Sequence, residues 1–155
     1  MLEQLDRYCF LHGIFRTTEL GAGKDGTVYA TSRGTAVKVH ARIESYTRER
    51  DIYLRLRSRR FRKAWMFNVP RLKSYDDEGL VLEMSIVTPP YLLDFASAYL
   101  DKRPDFPQEI EEEWQRNIQE SFGDKFPDVM AALEALERDA GVILLDIHPH
   151  NVKFE

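Results

Sequence analysis

The sequence predicts an α+β fold in which most strands precede most helices. In the first half, short apolar runs are separated by glycine-containing turns, as is typical of strands. In the second half, apolar residues recur every three or four positions, as is typical of helices packed on a core. The chain has 155 residues, of which 43% are hydrophobic and 31% charged. This size and composition suit one globular domain, so we expect residues 1–155 to fold as a single unit.

The first half is predicted to contain two helices and four strands. A short helix over residues 2–11 would present Leu2, Leu5 and Cys9 on one side. A second helix is predicted over residues 44–57, between the third and fourth strands. The strands are expected at residues 14–20, 27–31, 35–40 and 80–87.

The second half is predicted to be mainly helical. Pro107 suits the first position of a helix, where its missing N–H is not needed. Gly141 can adopt the left-handed conformation that ends a helix. A short apolar run over residues 142–145 then leads into Asp146. The helices are expected at residues 91–100, 107–122 and 127–139.

Cysteine content, charge and hydropathy exclude several classes of protein. Cys9 is the only cysteine, which excludes an internal disulfide and a cysteine metal cluster. The formal net charge of −4 gives the chain as a whole no signature of nucleic-acid binding. No apolar stretch has the length expected of a membrane span or the composition of a secretory signal. We expect a cytoplasmic protein by default, although a specialised secretion route would leave no mark in the sequence.

Three glycines, Gly21, Gly23 and Gly26, lie between two predicted strands with the spacing G-x-G-x-x-G. Phosphate oxygens bind backbone N–H groups, which they can approach closely where side chains are absent. The turn therefore favours phosphate binding, with an ordinary glycine-rich hairpin as the alternative. It is not a Walker loop, because Ser or Thr does not follow a Gly-Lys pair in the required frame. A helix does not follow it, as a dinucleotide-binding fold would require.

Lys38 lies on the next strand and points to the opposite face from Val37. A lysine inside a cleft needs an anionic partner to keep its proton. Glu49 is our candidate partner, because it falls on the otherwise apolar stripe of the helix over residues 44–57. Glu44 is the alternative. The opposing interpretation is a surface lysine and a surface glutamate that do not meet.

Near the end of the chain, Asp146, His148, Pro149 and Asn151 form the pattern D-x-H-P-x-N. In chain order, the patterns G-x-G-x-x-G-x-V, A-V-K and D-x-H-P-x-N resemble the signature of the protein-kinase-like superfamily. The histidine at position 148 is similar to that of aminoglycoside- and choline-kinase-type sequences. A zinc site that combines His148, His150 and Asp146 is an alternative, but its spacing matches no recognised zinc pattern.

The resemblance implies a fold in two parts with ATP and Mg²⁺ as cofactors. Residues 1–84 would form a small twisted antiparallel sheet with one helix, and residues 85–155 a reduced helical part. Leu82 would guard the back of the nucleotide pocket. The residues implied to contact the nucleotide are Gly21, Gly23, Gly26, Val28, Ala36 and Lys38, together with the backbone groups of Glu83 and Ser85.

The resemblance also implies roles in phosphoryl transfer to a hydroxyl of a protein or a small molecule. Lys38 would bridge the α- and β-phosphates and Glu49, Asp146 would accept or orient the hydroxyl, and Asn151 would bind Mg²⁺. Two alternatives stay open. One is a pseudokinase that binds nucleotide and acts as a scaffold, and the other is an interaction domain that binds no nucleotide.

The same family places a further acidic metal ligand in an Asp-Phe-Gly element, roughly fifteen to twenty residues after the aspartate that corresponds to Asp146. Only nine residues follow Asp146 in this sequence. A natural minimal protein, a fragment of a longer kinase, and a metal site completed by Glu155 are three possible explanations.

A run of basic residues follows the apolar stripe of the second helix. Such a run could bind nucleic acid, a phosphoprotein or anionic lipid. The interpretation we favour is a solvated helix end, because cations suit the negative end of the helix dipole. The run consists of Arg55, Arg57, Arg59, Arg60, Arg62 and Lys63.

Overall fold

The computed structural model describes all residues, 1–155, and it has an α+β fold. The first half contains α1 (Leu2–Leu11), β1 (Arg16–Gly23), β2 (Gly26–Thr31), β3 (Thr35–His40), α2 (Ile43–Ser58), β4 (Lys63–Ala64), β5 (Phe67–Asn68), β6 (Leu72–Asp76) and β7 (Val81–Ser85). The second half contains β8 (Tyr91–Leu92), β9 (Tyr99–Leu100), α3 (Gln108–Phe122), a 3₁₀ turn (Gly123–Lys125), α4 (Phe126–Ala140), β10 (Val142–Ile143) and β11 (Val152–Lys153).

The main sheet has five antiparallel strands in the order β1-β2-β3-β7-β6. Its central strand β3 places Lys38 opposite Val28 on one side and Leu82 on the other. The pairing of β1 with β2 is irregular, with shifts of register on both sides of Glu19. Val37 and Lys38 point to opposite faces, so the two faces of the sheet contain different chemistry.

Two helices cover this sheet, one on each face, whereas the family resemblance implied one helix. The helix α2 packs on the face that carries Lys38 and belongs to a core of 23 buried residues. The helix α1 packs on the opposite face, because its own apolar side matches the apolar side of β3 and β7. This second core consists of Leu5, Tyr8, Cys9, Ile14, Val37, Val39 and Val81.

A buried carboxylate fastens α1 to the sheet. Glu83 is fully buried and accepts hydrogen bonds from the hydroxyls of Tyr8 and Thr35, each at 2.6 Å. The guanidinium of Arg33 lies 2.8 Å from both carboxylate oxygens. Burial opposes ionisation of Glu83, but the hydrogen bonds from Thr35, Tyr8 and Arg33 outweigh it and lower its pKa. Burial and the bond to Glu83 raise the pKa of Tyr8.

The helix α4 forms the centre of the second half. Its buried residues join the large core together with Ile118 of α3. Gly141 ends α4 in the left-handed conformation, with φ of 67°, as the sequence predicted. Short strands complete this half, with β10 paired to β9 and a small sheet in the order β11-β8-β5-β4. None of the helices is both long and apolar enough to cross a membrane.

The helix predicted over residues 91–100 is wrong. This segment forms β8 and β9, and Asp94 between them has a φ of 68°, which an α-helix cannot accommodate. The reason is long-range pairing, because β8 bonds to β11 and the amide of Leu93 donates to the carbonyl of Asn151 at 2.8 Å. Its leucines and alanines favour a helix locally, but these pairings determine the outcome.

We expect Tyr8→Phe to lower the free energy of unfolding by about 1–2 kcal/mol, because Glu83 would lose one partner while remaining buried. Urea denaturation at neutral pH measures this change. Tyr75→Phe is the matched control, since Tyr75 lies on β6 and its side chain is 38% exposed. Equal effects of the two substitutions would contradict the role assigned to Tyr8.

Candidate functional site

A cleft of about 740 Å³ lies between the main sheet and the loops of the second half. Residues from β1, β2, β3, α2 and β7 line one side, and residues from the segment after β7 and the loop before β11 line the other. Of the predicted site residues, all except Leu82 and Glu83 line this cleft: Gly21, Gly23, Gly26, Val28, Ala36, Lys38, Glu49, Ser85, Asp146 and Asn151.

The three glycines lie in the strands of the β1–β2 hairpin, Gly21 and Gly23 in β1 and Gly26 in β2, and they differ in how far the fold depends on them. Gly26 has a φ of 155°, and a β-carbon there would overlap the carbonyl oxygen of Val39. The fold therefore favours glycine at position 26. By contrast, a β-carbon on Gly21 or Gly23 would meet no atom within 4 Å. Their bare backbone faces open space at the rim of the cleft, where a ligand could approach it closely.

Lys38 forms a buried ion pair with Glu49 of α2. The ammonium nitrogen lies 2.7 Å from the Oε2 atom of Glu49, and both side chains are buried. The same Oε2 atom lies 2.6 Å from Nε2 of His40, which ties α2 to β3 at a second point. Glu44, the alternative partner, makes no such contact and lines a different cavity on the outer side of α2.

The charges of this cluster stabilise one another. Burial opposes ionisation of Glu49, but the charge of Lys38 and the hydrogen bond from His40 outweigh it and hold the pKa at about 2. Burial likewise disfavours the Lys38 ammonium, but the charges of Glu49 and Asp94 outweigh that effect and raise its pKa. Lys38 is therefore a fixed positive charge at the wall of the cleft.

Asp94 is a site residue that sequence reasoning missed. Its Oδ1 atom lies 3.4 Å from the ammonium nitrogen of Lys38, and its side chain is 40% exposed to the cleft. Because the sequence predicts a helix over residues 91–100, it gives no indication that Asp94 belongs to a binding site. The preceding cis Pro89-Pro90 bond marks a turn, and its two prolines were the one available signal that a helix need not follow.

Asn151 holds the loop that carries Asp146. Its side-chain amide donates to the Asp146 carbonyl at 2.6 Å, and its Oδ1 atom accepts from the backbone amide of His148 at 3.1 Å. Nδ1 of His148 accepts from the backbone amide of His150, so the ring proton lies on Nε2, 3.7 Å from the Asp146 carboxylate. The Asp146 carboxylate makes no hydrogen bond within the protein and is available to a ligand.

The end of β7 contributes Met84 and Ser85 to the lining of the cleft. Leu82 is fully buried in the core and does not line the cleft, and the side chain of Glu83 points to the α1 face because side chains alternate along a strand. Met84 lies opposite Ala36 in the sheet. Ser85 lines the cleft, but its amide already donates to the Arg71 carbonyl at 2.9 Å. The backbone of residues 86–87 continues the cleft wall beyond the strand.

No protein-family model and no curated protein sequence matches the chain. Among solved structures, the chain is similar to the streptomycin–ATP–APH(2")-IIa ternary complex, with 16% identity and a TM-score of 0.49. The similarity covers 87% of this chain and 39% of that one, so the chain spans well under half of its length. A similarity this distant assigns no function to the chain.

We expect Glu49→Gln to lower the free energy of unfolding at neutral pH by about 3 kcal/mol, because Lys38 and His40 would remain buried without their carboxylate. Glu44→Gln, on the same helix but exposed, should change it by no more than about 0.5 kcal/mol. Urea denaturation of both variants measures these changes. Similar losses of stability in the two variants would contradict the buried Lys38–Glu49 ion pair.

The pH dependence of stability provides an independent measurement. Since the pKa of Glu49 falls from 4.5 to about 2 on folding, its contribution is complete above pH 4.5 and is lost as the pH falls toward 2. In that window, unfolding of the natural protein takes up about one more proton than unfolding of Glu49→Gln. The slope of stability against pH should therefore be shallower in the variant by about 1.4 kcal/mol per pH unit.

Proposed function

We propose that the chain binds ATP in the cleft and transfers its terminal phosphoryl group to a hydroxyl of a small molecule or a protein. The observation that supports this most is that three parts of the chain, far apart in sequence, line one cleft. They are the glycine turn, the Lys38–Glu49 pair and the Asp146–Asn151 loop. In this proposal residues 1–84 contact the nucleotide from the sheet side of the cleft, and residues 85–155 contribute the loop that carries Asp146.

The inner part of the cleft suits the adenine ring. Val28, Ala36, Met84 and Leu93 provide apolar surface in the lining of the cleft. A flat heterocycle needs such walls and a small number of backbone hydrogen bonds for orientation. Residues 86–87 are the candidates for those bonds, because the amide of Ser85 is already satisfied.

The outer part of the cleft suits the phosphates. Lys38 presents a positive charge that Glu49 keeps in place, and the bare backbone of Gly21 and Gly23 lies at the rim. Phosphate oxygens bind both kinds of group. A charge fixed before the ligand arrives stabilises the negative charge of a transferring phosphoryl group without reorganisation.

Asp146 is the residue we propose to accept the proton of the attacking hydroxyl. Its side chain is 44% exposed and has no hydrogen-bonding partner that would hold its proton-accepting oxygens. Asn151 places it, because the amide of Asn151 binds the Asp146 carbonyl. His148 lies on the same loop and would limit the directions from which a hydroxyl can approach.

Mg²⁺ fits the oxygen donors of this cleft in kind. Asn151 would hold it together with phosphate oxygens, and it would neutralise charge on the phosphates. No three acidic, histidine or cysteine side chains lie close enough to hold a metal ion by themselves. We therefore propose that the ion and the nucleotide bind together.

A nucleotide-binding scaffold without transfer is the second candidate. The observation that favours it is the position of Asp94, whose carboxylate already contacts the cation that the phosphates would use. A triphosphate must share Lys38 with Asp94 or displace it. Binding without turnover would then be the outcome if the displaced arrangement does not place the terminal phosphate near Asp146.

The double variant Gly21→Ala/Gly23→Ala tests nucleotide binding. We expect its free energy of unfolding to be unchanged or slightly higher, because the added methyl groups meet nothing. ATP at about 100 times its dissociation constant should stabilise the natural protein by about 2.7 kcal/mol, and the variant by less than half of that. Thermal denaturation with and without ATP gives both values.

Gly26→Ala is the control for this experiment. It should lower stability by about 1–3 kcal/mol, because the residue has a positive φ and its β-carbon would overlap the Val39 carbonyl. If the double variant kept the full stabilisation by ATP, the glycine turn would not bind the phosphates.

Asp146→Asn tests the transfer step. We expect a loss of at least about 100-fold in transfer from γ-labelled ATP to water or to the protein itself, since amide oxygen is a poor proton acceptor. Stabilisation by ATP should stay unchanged. Asp139→Asn, at the exposed end of α4, is the matched control. Undiminished transfer in Asp146→Asn would refute the assignment, and nucleotide binding without transfer in the natural protein would establish the scaffold.

A further inference from the structure

A third cavity, of about 400 Å³, lies at the C-terminal end of α2 and shares only Tyr53 and Pro70 with the lining of the cleft. Leu56, Phe61 and Leu72 contribute to its apolar floor. The cations around it come from two separate parts of the chain, the end of α2 and the segment that enters β6. They are Arg57, Arg60, Arg62, Arg71 and Lys73.

No acidic side chain lines this cavity. Eight of the 22 basic residues of the chain lie between Ile52 and Tyr75, and none of its 26 acidic residues does. Within the run at the end of α2, only Arg55 forms an ion pair, with Asp101. A concave surface with charge of one sign and apolar walls concentrates oppositely charged ligands.

A solvated helix end explains only part of this arrangement. Cations in the last turn of α2 complement the helix dipole, as expected from the sequence. That explanation does not extend to Arg71 and Lys73, which belong to another element and yet surround the same space. Convergence of like charges without a counter-charge is unfavourable unless a ligand supplies one.

The backbone of Arg60 is a second and independent observation. Arg60 follows the last residues of α2 with a φ of 52°, in the left-handed position where glycine is usual. The amide of Phe61 closes the turn by donating to the Leu56 carbonyl at 2.9 Å. The Arg60 side chain lines the cavity and forms no ion pair within the protein.

We infer that this cavity binds a small organic phosphate, a compact molecule with an apolar body and one or more phosphoryl groups. Its volume is that of a site for one small ligand. Guanidinium groups bind phosphate oxygens in pairs, and the apolar floor would contact the body of the ligand. The inference is independent of the function proposed for the cleft.

Three probes and the full chain test the inference. Titration with pyrophosphate, phenyl phosphate and inorganic phosphate, followed by calorimetry and by ¹H–¹⁵N spectra, gives affinity and location together. We expect the amide signals of residues 56–62 and 71–73 to shift. We also expect phenyl phosphate to bind more tightly than inorganic phosphate, because of the floor. Shifts confined to residues 21–26 and 36–40 would place the probes in the cleft and overturn the inference.

Two double variants with the same net charge distinguish specific binding in the cavity from nonspecific electrostatic attraction of the phosphate to the basic surface. Arg60→Gln/Arg71→Gln should weaken pyrophosphate binding at least tenfold. Arg59→Gln/Lys63→Gln removes the same charge from residues of the run that do not line the cavity, and it should weaken binding less than twofold. Equal losses in the two double variants would mean nonspecific attraction and would overturn the inference.

Arg60→Gly distinguishes a ligand role from a structural one. Because glycine suits the left-handed position, the urea midpoint should be unchanged or higher, while pyrophosphate affinity falls at least threefold. Unchanged affinity in this variant would show that Arg60 does not bind the ligand and would contradict the site as defined.

Discussion

The buried contact of Lys38, Glu49 and His40 is the constraint on which the arrangement of α2 and the cleft depends. An isolated charge at this depth would be strongly destabilising, so each of these groups needs the others in place. Because Lys38 and His40 both lie on β3, Glu49 can satisfy them only if α2 keeps one rotation and one height above the sheet. One carboxylate therefore positions the helix whose N-terminal half borders one cavity and whose C-terminal end borders the basic one.

The opposite face of the sheet uses the same principle with different partners. Glu83 of β7 is buried beneath α1, and Glu49 of α2 is buried against β3, so each carboxylate joins a helix to the central strands. The environments differ in one respect. Neutral hydroxyls from Tyr8 and Thr35 contact Glu83, and its cation Arg33 reaches it from the surface. Lys38 reaches Glu49 from inside the cleft. The first carboxylate therefore serves the fold, and the second also orients a charge that a ligand can contact.

Elements with strong local signals were predictable, whereas contacts between distant segments were not. The strand β3 lies where predicted, and α2 and α4 end within one residue of their predicted limits, because periodicity and Gly141 act locally. The helix predicted over residues 91–100 is wrong because these residues pair with β11 and β10, which lie far along the chain. For the same reason, no sequence pattern indicated that Asp94 contacts Lys38. Likewise, no local pattern indicated that the Glu83 side chain contacts Tyr8 and Arg33 on the opposite face of the sheet.

The irregular pairing of β1 has a consequence for the behaviour of the protein in solution. β1 is an edge strand of the main sheet, and its residues are almost all exposed. A straight strand in that position would offer a row of unsatisfied backbone groups to another chain. The register shifts around Glu19 interrupt that row, since a bulged strand bends and twists away from a straight partner. The glycine turn can thus stay open toward a ligand without making the edge of the sheet a template for aggregation.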